Sequence, residues 1–424
     1  MRGNVFNHRG TESTEETRSG KKKRMRAGSR RTSRLTQILT PLFSFPLCAL
    51  YASAVHSFST IPKATQLRIP GPTPLPDAVR EATGQQMINH RGPEFATLLA
   101  ETVAGMRTIL QTTHDVLLLS CSGSGGMEAA VINLCSPGDA VVAAHAGVFG
   151  ERFAAIAEAY GIAVHHVTAP DGHAVDPAQV ADALVTHPRA KTVLLTHNES
   201  STGVTHDLAA ITAVAHRHGA IIAADCITST AALDVPLDAW GVDVAVSASQ
   251  KAWMAPPGLA MVAVGPRAWQ RSMTATLPRF YFDFQRARDA QEKGQTPSTP
   301  ALPTLTGLHR ALQMLVAEGL PAIIARHHAA AEACRADIGD LAEYGLRLFA
   351  DPTHASDTVT AVALPDGFDG ARLLARLRDA HGVILAGGLG QLAGRIIRIG
   401  HLGNVTAADM AVVGDALRAV LRES

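Results

Sequence analysis

The sequence predicts an α/β protein: a large domain with a parallel or mostly parallel sheet covered on both faces, followed by a smaller C-terminal α+β domain. Two observations carry this. From about residue 66, short apolar runs alternate with helical stretches, the pattern of strands buried by helices on both faces. From about residue 305 a long helical pattern is followed by strand, helix, strand, strand and helix, which suits a small α+β unit. A cleft between two such domains is a usual ligand site.

The elements follow in order. "VLLLSCSG" (116–123) is an apolar run ending in small residues, and "MEAAVINLC" (127–135) is helical and closes at the Pro137-Gly138-Asp139 turn. Next come a strand, "AVVAAH" (140–145), a helix, "ERFAAIAEAYG" (151–161), and a strand, "AVHHVTA" (163–169). "DPAQVADALVTH" (176–187) opens with Asp176 and Pro177, a good N-cap and first-turn pair. "TVLLTH" (192–197), a helix near 207–218, "IIAADCI" (221–227) and "VAVSAS" (244–249) complete the first region. In the second, the helical stretch 305–345 leads to "TVTAVALP" (358–365), "GARLLARLRDAHG" (370–382), "VILAGG" (383–388) and "IIRIGHLG" (396–403). There is no internal repeat.

Of the 424 residues, 46% are hydrophobic and 18% charged, ordinary for a globular protein. The five cysteines (48, 121, 135, 226, 334) form no CxxC pair, and the nineteen histidines include no HExxH. That argues against a disulfide framework or a metal site and for a reducing compartment, with cytoplasmic location the expectation. Residues 1–35 carry eleven Lys/Arg against three Glu, and the body is mildly acidic. A nucleic-acid partner is therefore not expected.

The basic head, "KKKRMRAGSRRTSR" (21–34), precedes the apolar "ILTPLFSFPLCALYASA" (38–54). Two prolines and a short length argue against a membrane span, so no stable membrane association is expected. The favoured reading of residues 1–65 is a dispensable extension, disordered or translated from upstream of the real start. The alternative is an export or organellar signal, for which Arg30-Arg31 and Ala52-Ser53-Ala54 speak. The large domain is then 66–305 and the small one 306–424.

Three features fall at strand ends, where open α/β sheets bind ligands. "SCSGSGG" (120–126) ends a strand and opens a helix, so its backbone can approach an anion at the helix N-terminus. It is neither a Walker loop nor a GxGxxG turn, and a plain tight turn is the alternative. Asp225 ends an apolar run, where a carboxylate is expensive without a cationic partner, unless it caps a turn or helix. Lys251 follows "VAVSAS" in "SASQKAWMAPPG" (247–258). A partly desolvated lysine gives up its proton more easily and attacks carbonyls. A phosphate cradle, an acid for a ring nitrogen and a lysine for an aldehyde together fit pyridoxal 5′-phosphate. The small residues before Lys251 leave room for that cofactor, Pro256-Pro257-Gly258 turn the chain away, and Trp253 is read as packing.

On these residues, and on "PGPTPLP" (70–76), "SCSGSGGMEAAVINL" (120–134), "HNESSTGV" (197–204), "AADCITS" (223–229) and "RIGHLG" (398–403), the chain resembles the class V, fold-type I pyridoxal-phosphate aminotransferases. The likeness spans roughly 66–424 and is to the alanine–glyoxylate and serine–glyoxylate (serine–pyruvate) branch. It implies a seven-stranded, mostly parallel large-domain sheet. It makes Lys251 the Schiff-base lysine and the base that moves a proton between the substrate α-carbon and cofactor carbon C4′. Asp225 becomes the partner of the ring nitrogen. Ser122, Gly123, Ser124 and Gln250 would hold the phosphate. Phe149 would stack on the ring, with Ile227 on its opposite face and Ser200 near its hydroxyl. Thr299 would reach the phosphate of a neighbouring subunit in a homodimer; a tyrosine that some relatives place nearby is Thr296 here. Arg398 would grip the substrate carboxylate, for which a planar guanidinium is suited.

The implied reaction is two half-transaminations from a small amino acid, alanine or serine, to glyoxylate or pyruvate. Ureidoglycine–glyoxylate transamination is the runner-up, and a non-catalytic subunit on the same scaffold is the alternative of another class. Cysteine desulfuration is discounted, because no cysteine is placed as a mobile nucleophile. The resemblance places no second arginine to hold a side-chain carboxylate, so acidic donors are expected to be poorer.

Overall fold

The computed structural model of the chain describes residues 66–423. The readings given for residues 1–65 lie outside that range.

The large sheet has seven strands: β1 (Asp115–Leu119), β2 (Ala140–His145), β3 (Ala163–Thr168), β4 (Ala190–Thr196), β5 (Ile221–Asp225), β6 (Val244–Ala248) and β7 (Ala260–Val264). Their spatial order is β1-β7-β6-β5-β4-β2-β3. Only β7 runs antiparallel to its neighbours. The sheet is buried on both faces because its strand residues alternate between two apolar clusters. Val116, Leu118, Val193, Leu195, Ile222 and Ala224 face one cluster, and Leu117, Leu119, Leu194, Ile221 and Ala223 face the other. This period-2 division is why the strands read as continuous apolar runs instead of alternating ones. Each fully buried Val, Leu or Ile contributes about 1.5–3 kcal/mol of transfer free energy.

Helices α1 (Pro93–Ile109), α2 (Gly123–Leu134), α3 (Val148–Ala159), α4 (Pro177–Thr186) and α5 (Leu208–Arg217) cover the faces. Asp176 caps α4 as the sequence predicts, accepting from Ala178 N at 2.8 Å within a capping box with Gln179.

The long helical pattern after residue 305 is two helices, α6 (Leu302–Glu318) and α7 (Leu320–Asp340). Gly319 and Pro321 interrupt it, since proline cannot donate to a continuing helix. The break re-aims the chain. Leu305, Leu308, Leu312 and Leu315 of α6 join the core beneath the large sheet. Ala330, Cys334 and Ile338 of α7 pack on a smaller four-stranded sheet.

That second sheet is antiparallel, with strands β8 (Arg347–Leu348), β9 (Val359–Ala363), β10 (Ala386–Gly387) and β11 (Ile396–Gly400) in the order β8-β9-β11-β10. Helices α8 (Gly370–His381) and α9 (Ala407–Arg422) complete its core through Leu373, Leu377, Val413 and Leu417. The segment before residue 74 ties the parts together. Gln66 and Leu67 pair with Val383 and Ile384, Gly400 N donates to Arg68 O at 2.7 Å, and Thr73 N donates to Gln250 O at 3.0 Å. Among the described residues no helix is long and apolar enough to cross a membrane.

Candidate active site

The cleft lies at the carboxyl ends of the parallel strands. Asp225 is the last residue of β5 and pairs with Val246 of β6. Lys251 follows three residues after β6, the Ser122-Gly123-Ser124 turn opens α2 beyond β1, Phe149 follows β2 at the start of α3, and Ser200 follows β4. Parallel strands deliver all these ends to one edge of the sheet, which is how residues far apart in sequence converge.

Lys251, Asp225, Ser122, Gly123, Ser124, Phe149, Ser200, Ile227 and Gln250 all line this cleft, joined by Met127, Arg152, Asn198 and Thr228. The Lys251 ammonium donates to the carbonyl of Pro70 at 2.6 Å, and its own carbonyl accepts from Thr73 Oγ1 at 2.9 Å. Gly71 lies directly over the lysine. A Cβ there would come 2.6 Å from Nζ, and φ is +115°, so this position of "PGPTPLP" requires glycine for both space and backbone. Trp253 is fully buried and donates from its indole to Ser247 Oγ at 2.7 Å, a packing role.

Burial dominates the electrostatics. It lowers the Lys251 ammonium to about 8; Asp225 opposes that fall, and Arg398 and Arg152 add to it. Burial raises the Asp225 carboxyl to about 7, against the Ile227 N–H that it accepts at 3.0 Å, with Glu199 adding to the rise. Asp225 is 5% exposed. A carboxylate so placed has reason to be ionised when a cation is brought to it.

Arg398, on β11, is 6% exposed and forms no ion pair among the described residues. It donates from Nε to Gly387 O at 2.9 Å and from Nη1 to Ser200 O at 3.1 Å. Burial holds its pKa below the usual arginine value. A guanidinium held by two neutral carbonyls keeps its charge for a ligand carboxylate.

Glu199 organises this part of the site. It is fully buried and accepts from Phe149 N at 3.1 Å, Gly150 N at 3.0 Å, Ser201 N at 3.1 Å and Ser201 Oγ at 2.5 Å. It thereby caps the helix that carries Phe149.

Thr299 is not in the cleft of its own chain. It is exposed, with Oγ1 3.4 Å from His90 Nε2. Thr296 is buried and spends its hydroxyl on Ser298 O at 2.8 Å, a turn contact. Sequence reasoning gave no role to Glu199 or Arg152. Arg152 had a signal: it stands three residues after Phe149 on one helix, a spacing that places both side chains on one face.

The residues fit pyridoxal 5′-phosphate on their own chemistry. Gln250 Oε1 is buried without a partner, an amide awaiting a ligand, since its oxygen and nitrogen are interchangeable in assignment. Ser122 caps no backbone N–H of α2 with its side chain, and the first turn of α2 holds no acidic residue, which leaves the helix start open to an anion. At Gly123 a Cβ would meet Ile227 Cδ1 at 2.4 Å, so a larger residue there would displace the Ile227 side chain that lines the cleft.

An aminotransferase of fold type I is what this combination of sheet, lysine, acid and cradle defines. A family model for class V aminotransferases matches residues 71–398. A protein of Synechococcus called the soluble hydrogenase small subunit is 43% identical, with 84% of this chain and 93% of that protein aligned. An L-aspartate–glyoxylate aminotransferase of Paracoccus denitrificans is 38% identical over 82% of this chain and 88% of its own length. The crystal structure of an alanine–glyoxylate aminotransferase from Nostoc sp. has a TM-score of 0.81 at 30% identity, covering 86% of this chain and 96% of that one. The chain belongs to the class V aminotransferase family, and it is a pyridoxal-phosphate-dependent transaminase.

Proposed function

We propose that the protein moves the amino group of a small amino acid, alanine or serine, to glyoxylate. The observation that carries this is the meeting of Lys251, Asp225 and the Ser122–Ser124 turn in one cleft, with Arg398 anchored beside it on the Ser200 carbonyl. Glyoxylate as acceptor is supported by the names of the Paracoccus and Nostoc relatives.

Pyridoxal 5′-phosphate supplies an aldehyde that exchanges amines and a ring that takes up the electron pair released at the substrate α-carbon. Lys251 would hold the aldehyde carbon. Its Nζ would take and hold the proton of the donor α-carbon, a task suited to an amine that burial lowers to about 8. Asp225 would hold a proton on the ring nitrogen. Phe149 and Ile227 would clamp the two ring faces, Ser200 would stand near the ring hydroxyl, and Gln250 would join the Ser122-Gly123-Ser124 turn around the phosphate. Arg398 pairs with the α-carboxylate of donor and acceptor alike.

The same reading makes the protein a homodimer, with the exposed Thr299 serving the partner subunit's cofactor. A cytoplasmic location belongs to the same reading and is supported by a sequence whose five cysteines form no CxxC pair. The Synechococcus name describes that protein; a chain kept only as a subunit would need neither the lysine nor the acid at these strand ends.

The test is Lys251→Ala. It abolishes amino transfer from alanine or serine to glyoxylate, and with it the amine-bleachable visible absorbance of the lysine-bound cofactor, while thermal stability is retained. Near-normal turnover in the variant, or a wild type whose visible band does not respond to amino acids, refutes the proposal.

A further inference from the structure

A second arginine reaches the cleft. Arg152, on α3, donates from Nη1 to Ser124 Oγ at 3.4 Å, and its guanidinium carbon lies 4.9 Å from the centre of the Phe149 ring. It forms no ion pair among the described residues. Of the residues lining the cleft, Lys251 and Arg152 are the positively charged ones. We propose that Arg152 binds the phosphate group of pyridoxal 5′-phosphate beside Ser124, while its guanidinium stacks over Phe149 and fixes that ring.

The proposal rests on the cofactor reading above and extends it to a residue with no assigned role. Charge is the first argument. A phosphate monoester carries roughly −1.5 to −2 at neutral pH. The start of α2 offers only the equivalent of about half a positive charge, and Lys251 is committed to the aldehyde. Arg152 is the cation left to balance the remainder.

Position is the second argument. Two helices begin at the cleft, and their N-termini differ. That of α3 is already filled by the Glu199 carboxylate, which accepts from Phe149 N and Gly150 N. That of α2 carries no acidic residue and no side-chain cap. The anion therefore goes to α2, and Arg152 touches the second residue of that helix. Arg398 is anchored elsewhere, on the carbonyls of Ser200 and Gly387. The two arginines thus divide two anions, one on the cofactor and one on the substrate.

The competing use of Arg152 is to grip the side-chain carboxylate of an acidic donor, a use made concrete by the L-aspartate–glyoxylate relative. Contact with Ser124, in the turn that the phosphate would occupy, favours the cofactor. A guanidinium stacked on a ring is also held in a fixed plane, which suits a permanent ligand.

The experiment compares Arg152→Gln and Arg152→Lys with wild type, using the full chain stripped of cofactor. Binding of pyridoxal 5′-phosphate, of pyridoxal and of inorganic phosphate is measured by titration, alongside KM for alanine and aspartate in the reconstituted enzymes. Arg152→Gln weakens pyridoxal 5′-phosphate and inorganic phosphate by about tenfold or more, the size of one charge-assisted contact, and weakens pyridoxal, which loses only a steadied Phe149 ring, much less. Arg152→Lys recovers most of the loss. Equal weakening of pyridoxal and its phosphate would show that only the stacking on Phe149 matters, and overturns the proposal. Unchanged cofactor affinity with a selective rise in KM for aspartate assigns Arg152 to the donor side chain and overturns it as well. A wild-type chain that binds no pyridoxal 5′-phosphate overturns the cofactor reading itself, and so is distinguished from a failure of Arg152 alone.

Discussion

Glu199→Gln tests whether one buried carboxylate organises the cleft. The side chain is 0% exposed and sits among four donors: the N–H groups of Phe149, Gly150 and Ser201 and the hydroxyl of Ser201. Two opposing effects act on its charge. Burial raises its pKa, and the four donors work against that rise. Glutamine keeps the shape and removes one acceptor. Whichever way the amide turns, its NH2 faces either the two N–H groups at the start of α3 or the Ser201 pair. Toward α3 the NH2 would leave two buried N–H groups unpaired at about 1–3 kcal/mol each; toward Ser201 it donates to the hydroxyl, which can turn to accept, and only Ser201 N loses its partner. Relief from burying a charge offsets part of this. The net expectation is about 1–2 kcal/mol of destabilisation. The assay is a thermal melt of the holoenzyme paired with the rate of cofactor release, because the start of α3 carries Phe149. A lower melting temperature and faster release are expected together. Donor KM should also rise for every amino acid tested, since Arg398 is anchored on the next carbonyl, Ser200 O. A change in stability below about 0.5 kcal/mol with unchanged release refutes the reasoning; it would mean that Glu199 is already protonated and that the donors do not need its charge.

Two further outcomes follow from the same geometry. With Lys251 lowered to about 8, capture of added pyridoxal 5′-phosphate by the stripped chain should accelerate with pH and reach half its maximum near 8; a midpoint near 10 sinks the desolvation argument. The unfolded chain then holds more protons on Lys251 between about 8 and its ordinary 10.5, so the stripped protein gains stability as pH rises through that window. Arg398→Ala, which removes one partner of a partly buried pair worth about 2–5 kcal/mol, should cost roughly thirtyfold or more in kcat/KM for alanine, serine and glutamate alike with glyoxylate as acceptor. If alanine turnover survives intact, Arg398 does not hold the α-carboxylate.

The fold was legible because each large-sheet strand is buried on both faces, so apolar runs such as Val193-Leu194-Leu195 and Ile221-Ile222-Ala223 stand out without periodicity analysis. Lys251 and Asp225 were legible for the opposite reason: charge at the end of such a run is costly and needs a use. The break at Gly319 was hidden, because the residues on both sides share helical composition and differ only in which core they enter. Glu199 was hidden too. Nothing in "HNESSTGV" says that its carboxylate reaches back 50 residues to the start of α3. The same holds for Gly71, whose neighbour Lys251 is distant in sequence.

These hidden contacts share a cause. They join the ends of different strands, and sequence spacing reports on single elements. What the sequence offers is the list of residues that burial makes expensive; the sheet decides which of them meet. Asp225 and Lys251 show the consequence. Burial moves them in opposite directions, to about 7 and about 8, so near neutral pH neither group is held firmly in one protonation state. A proton bound to a ring nitrogen beside Asp225 would commit that residue to its charged form, which in turn supports the charge on Lys251. Binding at the ring would therefore be coupled to the protonation of the lysine proposed to attack the aldehyde. Asp225→Asn should break that coupling, leaving Lys251 lower still and its cofactor capture less dependent on pH.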